Sequence, residues 1–314
     1  MRLAAIDCGT NTAMLLVADV VQGGIPRLRP VADVLEMPRL GQDLDRTRRL
    51  HPDAIARTLA AIARQVERAR VLAVDRLIVV GTESLRAAEN SDEFLTALAA
   101  TGIELRVISG DEEARLSFRS VAESLPMPPS GRRSVLDIGG GSTELVVGGG
   151  GGQPERWASV KIGSVRLHER CIRHDPPTRE EVAALVAAID AGLDKLPAPE
   201  GELVALAGTA TTVAALHLGM VDYDGRKVDG LRLGTDRLRE IILDLGRRSI
   251  AERGQLPGLD LRRADVIFAG AMILLRTAER AGTTEVVISD RGVRWGILEE
   301  LADEKSRTNA GGQG

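Results

Sequence analysis

Short apolar runs punctuated by glycine and hydroxyl residues set the rhythm of the first 40 positions. Leu3–Ile6, Met14–Val20 and Arg27–Leu35 read as three strands, with Gly23-Gly24 turning a hairpin. The period then changes. Ile55, Leu59, Ile62 and Val66 recur at spacings of four and three, which predicts a helix from Asp53 to Arg70. Arg76–Val80 reads as a buried strand, Asp92–Ala100 as a helix and Ile103–Ile108 as a strand. Gly110 opens a further helix whose first turn carries Asp111-Glu112-Glu113, as the helix dipole favours.

Pro126-Met127-Pro128-Pro129-Ser130-Gly131 breaks the chain, and the same order restarts. Strands are expected at Ser134–Asp137, at Glu144–Val147 and near Arg156–Val160, with Gly148–Gly152 as a plain hairpin turn. Val182, Leu185, Val186 and Ile189 mark a helix, and Leu203–Leu206 a strand. Gly81-Thr82 is echoed by Gly208-Thr209, and Val107-Ile108-Ser109 by Val287-Ile288-Ser289. The larger offset of the last echo implies a mostly helical insertion at about 213–281. The expected domains are 1–125, with a C-terminal helix at 292–305 packing back on it, and 126–305. A disordered tail is expected at 306–314. A repeated β-β-β-α-β-α-β-α unit is the plan of a duplicated actin-like, ribonuclease-H-like α/β fold, with the active cleft between its halves.

The first turn of each half carries chemistry. Asp7-Cys8-Gly9-Thr10-Asn11-Thr12 and Asp137-Ile138-Gly139-Gly140-Gly141-Ser142-Thr143 both place an Asp at a strand end, then glycine and hydroxyl residues. Glycine lets backbone N–H groups approach a phosphate, and hydroxyls donate to its oxygens. Asp137 and Asp7 are the candidate ligands for Mg²⁺, with Mn²⁺ as a substitute. A hard cation of this kind takes one or two carboxylates together with phosphate oxygens and waters. Gly9–Asn11, Gly139–Ser142 and Gly208–Thr209 would grip successive phosphates through their N–H groups. Thr10, Asn11, Thr12, Ser142 and Thr143 would add side-chain donors.

Composition narrows the partners. A formal charge of −4 gives no electrostatic footprint for nucleic acid, and an aromatic content of 2% leaves little for base stacking. Two cysteines, Cys8 and Cys171, provide no disulfide framework, no apolar run approaches a membrane span and no leader is expected ahead of the first strand. A cytoplasmic protein is expected, with a homodimer as the base-rate assembly. His168, Cys171 and His174 share helical spacing, but one helix presents zinc ligands poorly. The arginine pairs at 48–49, 132–133, 247–248 and 262–263 read mostly as solvated faces, some of which could rim the cleft and steer polyanions.

Several segments in order along nearly the whole chain resemble the exopolyphosphatase / guanosine pentaphosphate phosphohydrolase family. They are DCGTNT (7–12), GTESLRAAENSDEF (81–94), ISGDEEARLSF (108–118), LDIGGGSTEL (136–145), IGSVRL (162–167), AGTATTVAAL (207–216), YDGRKVDG (223–230), RADVIFAGA (263–271) and SDRGVRWGIL (289–298). The chain resembles the short, two-domain type. Thr10 and Thr12 stand where serine is frequent, Cys8 where an aliphatic residue is usual, and Trp295 where an acid is frequent.

The resemblance implies a Mg²⁺-dependent phosphoanhydride hydrolase in which Glu113 is the catalytic base toward water. Asp111 and Glu112 are read as helix-capping acids. Glu144 is a candidate for holding the attacking or metal-bound water, against an ordinary hairpin residue. Arg86 resembles the family's arginine that meets the polyanion, against a solvated charge. Arg166 and Arg291 are weaker candidates of the same sort. The expected substrate is inorganic polyphosphate, losing terminal orthophosphate, with guanosine pentaphosphate as the alternative. A kinase of the same fold and a non-catalytic sensor of polyphosphate or alarmone are the rival classes.

Overall fold

The structure, a computed structural model, describes residues 1–21, 27–149 and 153–311, with side chains as far as Glu304. The Gly23-Gly24 turn and Gly150–Gly152 lie outside the described residues. The chain forms two units, Met1–Ser124 with Val293–Gly314, and Leu125–Gly292.

The first unit is built on a sheet of β1 (Arg2–Cys8), β2 (Ala13–Val20), β3 (Leu28–Glu36), β4 (Arg76–Gly81) and β5 (Arg106–Val107). Their order across the sheet is β3-β2-β1-β4-β5. β1 pairs antiparallel with β2 and parallel with β4, so it is hydrogen-bonded on both edges. Both of its faces are also covered, which is why Leu3–Ile6 is apolar throughout instead of alternating. Ala4, Ile6 and Cys8 join a core with Ile62 and Ala69 of α2 (Pro52–Val71), beyond the short α1 (Leu44–Thr47). Small residues make the closest approach here: Ala54, Thr58, Ala61 and Ala69 are buried, while Ile55, Leu59 and Val66 pack half-buried at the flanks. His51 caps α2, accepting from Asp53 N, and Pro52 stands at the first helical position.

Leu3, Ala5 and Leu16 face the other way, toward α5 (Gly110–Ala122) and the chain's last helix, α13 (Val293–Gly311). Two short helices, α3 (Glu83–Ala87) and α4 (Ser91–Ala99), link β4 to β5. α13 presses closely on α5, since a Cβ at Gly296 would stand 2.2 Å from Leu116 O. Arg115 pairs with Glu300, and Arg119 and Arg27 both pair with Asp303. Trp295 is buried in this core, so the ring replaces nothing at a solvent surface.

The second unit repeats the plan with β6 (Arg132–Ile138), β7 (Thr143–Gly149), β8 (Pro154–Val160), β9 (Glu202–Leu206), β10 (Leu231–Gly234) and β11 (Glu285–Ile288). The order is β10-β11-β9-β6-β7-β8, which without β10 is the order of the first sheet. Its helices are α6 (Ser164–Cys171), α7 (Arg179–Leu193), α8 (Ala207–Leu218), α9 (Gly225–Val228), α10 (Thr235–Arg247), α11 (Ile250–Arg253) and α12 (Ile267–Ala281). A full capping box of Thr178 and Glu181 starts α7.

Three local expectations change. The strand read at Ile103–Ile108 shrinks to Arg106–Val107, an edge strand paired only with β4. The 213–281 insertion holds a strand, β10, antiparallel to β11, beside its helices. α13 runs through Gly311, so helix covers residues 306–311 of the expected tail, while 312–314 lie outside the described residues.

Candidate functional site

Both phosphate turns close with the same hydrogen bond. Gly9 N donates to Thr12 O at 2.8 Å, and Gly139 N donates to Ser142 O at 3.0 Å. Each turn is then fixed from behind by a different element. Arg39 N donates to Asn11 O and Gly41 N to Thr10 O, so the loop after β3 backs the first turn. A side chain at Gly41 would collide with Thr10 Cγ2 at 2.3 Å. In the second unit, the start of α6 performs this task. Ser164 N donates to Gly139 O, Val165 N and Arg166 N donate to Gly140 O, and Arg166 Nε donates to Gly141 O at 2.8 Å. Arg166 therefore braces the turn it was expected to supplement.

Strand parity decides which side chains share a face. Asp137 lies opposite Glu144 on β7, and Glu144 opposite Ser159 on β8. Opposed residues project from the same face, so Asp137, Glu144 and Ser159 form a row of two carboxylates and a hydroxyl. Ser159 Oγ donates to Glu144 Oε1 at 2.6 Å. The equivalent row in the first unit is Asp7, Met14 and Leu35. The second acid is thus a property of one half alone. Thr143 projects to the opposite face from Glu144, and its hydroxyl donates to Ile162 O at 2.5 Å while fully buried. This corrects its expected role as a phosphate donor: the hydroxyl is spent on the fold. Thr10, Asn11 and Ser142 are buried within their turns, and Thr12 is half-buried.

Glu113 sits in the first turn of α5, whose cap is Ser109, accepting from Glu112 N. Glu112 turns outward to Arg106 at 2.7 Å and Asp111 is exposed, as capping acids should be. Glu113 is buried, with Oε2 2.9 Å from Arg86 Nη2. Arg86 also donates from Nη1 to Ile108 O at 2.7 Å and lies 3.4 Å from Glu83 Oε2. The arginine is therefore an ordered ion-pair partner, not a solvated charge. Burial, with Asp7 adjacent, pushes the Cys8 thiol upward, so that residue is a core hydrophobe and no thiolate.

The Gly208-Thr209 turn begins α8 from Ala207, held in the left-handed region at φ 67°. A non-glycine residue pays strain there, which marks the strand-to-helix turn as a constrained one. Arg263 occupies the space a side chain at Gly208 would need: a Cβ there would be 1.9 Å from Arg263 Nη1. Burial lowers the Arg263 pKa, with Asp260 acting in the other direction. Thr209 is buried against Gly270 of α12. The arginine pairs are thus not uniformly solvated. Arg263 lines the Gly208 turn, and Arg133 is fully buried, paired to Glu202 at 2.9 Å. Arg291 Nε lies 3.8 Å from Asp229 Oδ2, beside the turn after β11. His174 falls beyond α6 and contacts Glu181 at 2.9 Å, away from the face of His168 and Cys171. Among the described residues no group of three or more His, Cys, Asp or Glu is arranged to hold a metal, and no helix is long and apolar enough to cross a membrane.

The pattern of the Ppx/GppA phosphatase family matches residues 16–305. The chain belongs to the Ppx/GppA phosphatase family. It is 37% identical over 320 residues to Exopolyphosphatase 2 of Mycobacterium tuberculosis, covering 96% of this chain and 98% of that protein. The crystal structure of the Aquifex aeolicus Ppx/GppA family member superposes with a TM-score of 0.80 at 32% identity, covering 98% of this chain and 99% of that one. An exopolyphosphatase from Cytophaga hutchinsonii shares the fold, with a TM-score of 0.87 at 24% identity over 97% of this chain and 98% of that one. The duplicated, two-sheet α/β architecture is therefore the actin-like fold of Ppx/GppA proteins. Glu83 is not singled out by the sequence reading, and Arg263 appears there only as one of an arginine pair. Only their neighbours in space, Gly208 and Arg86, distinguish them from ordinary surface charges.

Proposed function

We propose that this chain is a cytoplasmic exopolyphosphatase that releases terminal orthophosphate from inorganic polyphosphate, with a divalent cation such as Mg²⁺ as cofactor. Glu113 carries the reading. It is a buried carboxylate in the first turn of a helix, ion-paired to Arg86 at 2.9 Å, in a chain whose relatives bear the name exopolyphosphatase. An acid so placed suits the task of drawing a proton from water, and an arginine beside it suits the phosphate that water attacks.

In this reading the N–H groups of the glycine turns donate to the oxygens of a polyphosphate chain. Water attacks the terminal phosphorus, the bridging P–O bond breaks, and Glu113 takes the proton from the water. The shortened chain leaves as the anionic partner. The donor set also suits a hard cation. Asp7 and Asp137 are oxygen ligands at strand ends, and the buried Asn11 Oδ1 has no hydrogen-bond partner among the described residues. A bound cation supplies neutralisation of phosphoryl charge. Glu144, steadied by Ser159, holds a water on the same face as Asp137.

The experiment is orthophosphate release from polyphosphate by wild type and Glu113→Gln, with binding measured in parallel. Loss of turnover with binding retained supports the reading. Full turnover in the variant removes Glu113 from the role. Phosphate transfer to an added acceptor, with little release to water, would instead favour a kinase.

A further inference from the structure

Arg86 is one cation between two carboxylates. Its Nη2 is 2.9 Å from Glu113 Oε2 and 3.4 Å from Glu83 Oε2, while Nη1 is fixed to the Ile108 carbonyl at 2.7 Å. All three side chains are largely withdrawn from solvent, at 19% exposure for Arg86, 8% for Glu83 and 11% for Glu113. Glu83 begins the five-residue helix α3, three positions before Arg86, and is held against it by the helical turn. The same guanidinium nitrogen is thus shared between two carboxylates. A phosphate group approaching Arg86 must compete with Glu83 for the guanidinium edge.

We infer that Glu83 is a positioning residue that sets how strongly Arg86 holds phosphate, both the substrate's terminal group and the orthophosphate product. This rests on the reading of Arg86 as a phosphate contact. Glu113 has its own task toward water, while the Glu83 carboxylate restrains Arg86 and keeps the bound product from being held too tightly. A residue that merely completed α3 would not affect phosphate affinity, because α3 draws no cap from its N-terminal Thr82 side chain and Gln is a good helix former.

The test is steady-state hydrolysis of polyphosphate by wild type, Glu83→Gln and Glu83→Asp, with orthophosphate as product inhibitor. Gln keeps the shape and removes the charge. KM for polyphosphate and the inhibition constant of orthophosphate should both fall at least about threefold in Glu83→Gln, with kcat unchanged or lowered. Glu83→Asp, which keeps the charge, should return both constants toward wild type. Unchanged constants in Glu83→Gln, or constants that rise, overturn the inference. Arg86→Ala separates the two levels of the argument. If it raises both constants while Glu83→Gln moves neither, only the role of Glu83 falls. If it moves neither, Arg86 is no phosphate contact and the underlying reading falls with it.

Discussion

Arg86 Nη2 stands 2.9 Å from Glu113 Oε2, and this pair joins α3 to the start of α5. The two residues come from different helices, and the carbonyl of Ile108 fixes the other end of the guanidinium. An acid in this setting is oriented before any substrate arrives. Glu113→Gln should therefore lower kcat by about 10²–10⁴-fold, the usual worth of a general base. Polyphosphate binding, read by calorimetry, should persist in the variant.

Ser159 should matter through Glu144 alone. Its hydroxyl is the donor that fixes Glu144 Oε1 at 2.6 Å, and Glu144 is buried opposite Asp137. Ser159→Ala removes that donor and lowers kcat by about 5–20-fold, the equivalent of roughly 1–2 kcal/mol for a bond to a charged acceptor. Ser159→Thr keeps the hydroxyl and restores most of the loss. Equal kcat in the Ala and wild-type enzymes would show that Glu144 needs no such support.

Gly163 and Gly208 should respond differently to alanine. A Cβ at Gly163 would stand 2.4 Å from Gly140 O and 2.6 Å from Gly141 N, which are backbone atoms of the second phosphate turn. Gly163→Ala should cost about 1–3 kcal/mol in thermal or denaturant unfolding and disable the turn. A Cβ at Gly208 meets the tip of Arg263, which is flexible. Gly208→Ala should leave unfolding within about 1 kcal/mol of wild type but raise KM for polyphosphate, since the guanidinium must move from the turn. A fall in stability equal to that of Gly163→Ala would contradict this.

The fold was largely legible because its signals are local and doubled. Asp-x-Gly turns at 7–9 and 137–139 follow short apolar runs, and the two sheets share an order apart from β10. β10 is four residues long and lies among helices, so no alternating pattern announces it. Candidate site residues stand out in the sequence where glycine turns or an acid at a helix start mark them. They are obscure where parity or packing decides. Thr143 and Glu144 are adjacent in sequence but face opposite ways, and only the strand register assigns them. Arg262 and Arg263 look alike in sequence, yet Arg262 pairs with Asp260 at 2.6 Å at the surface while Arg263 fills the space beside Gly208. Glu83 reads as one more acid in a short loop until Arg86 is seen against it.

Asp303 should make stability fall in acid. It binds Arg27 and Arg119, and so ties α13 to α5 and to the residue just ahead of β3. Burial alone would raise its carboxyl, but the hydrogen bonds and charges of the two arginines leave it below the ordinary 3.8. A depressed carboxylate contributes its full stability above the unfolded value and loses it as pH falls through the folded one. The contribution should therefore vanish only below about pH 4. Asp303→Asn should cost on the order of 1–2 kcal/mol at pH 7, and its denaturant midpoint should converge on that of wild type in strong acid. A constant gap down to pH 2 would exclude the ion pairs as its source.

The most direct measurement is orthophosphate release with Mg²⁺ present, comparing short and long polyphosphate with guanosine pentaphosphate and ATP, before and after chelation. The account predicts release chiefly from polyphosphate, abolished by the chelator and restored by added Mg²⁺. Release chiefly from guanosine pentaphosphate would contradict the substrate assignment. Binding of polyphosphate without any release would contradict the hydrolytic role itself.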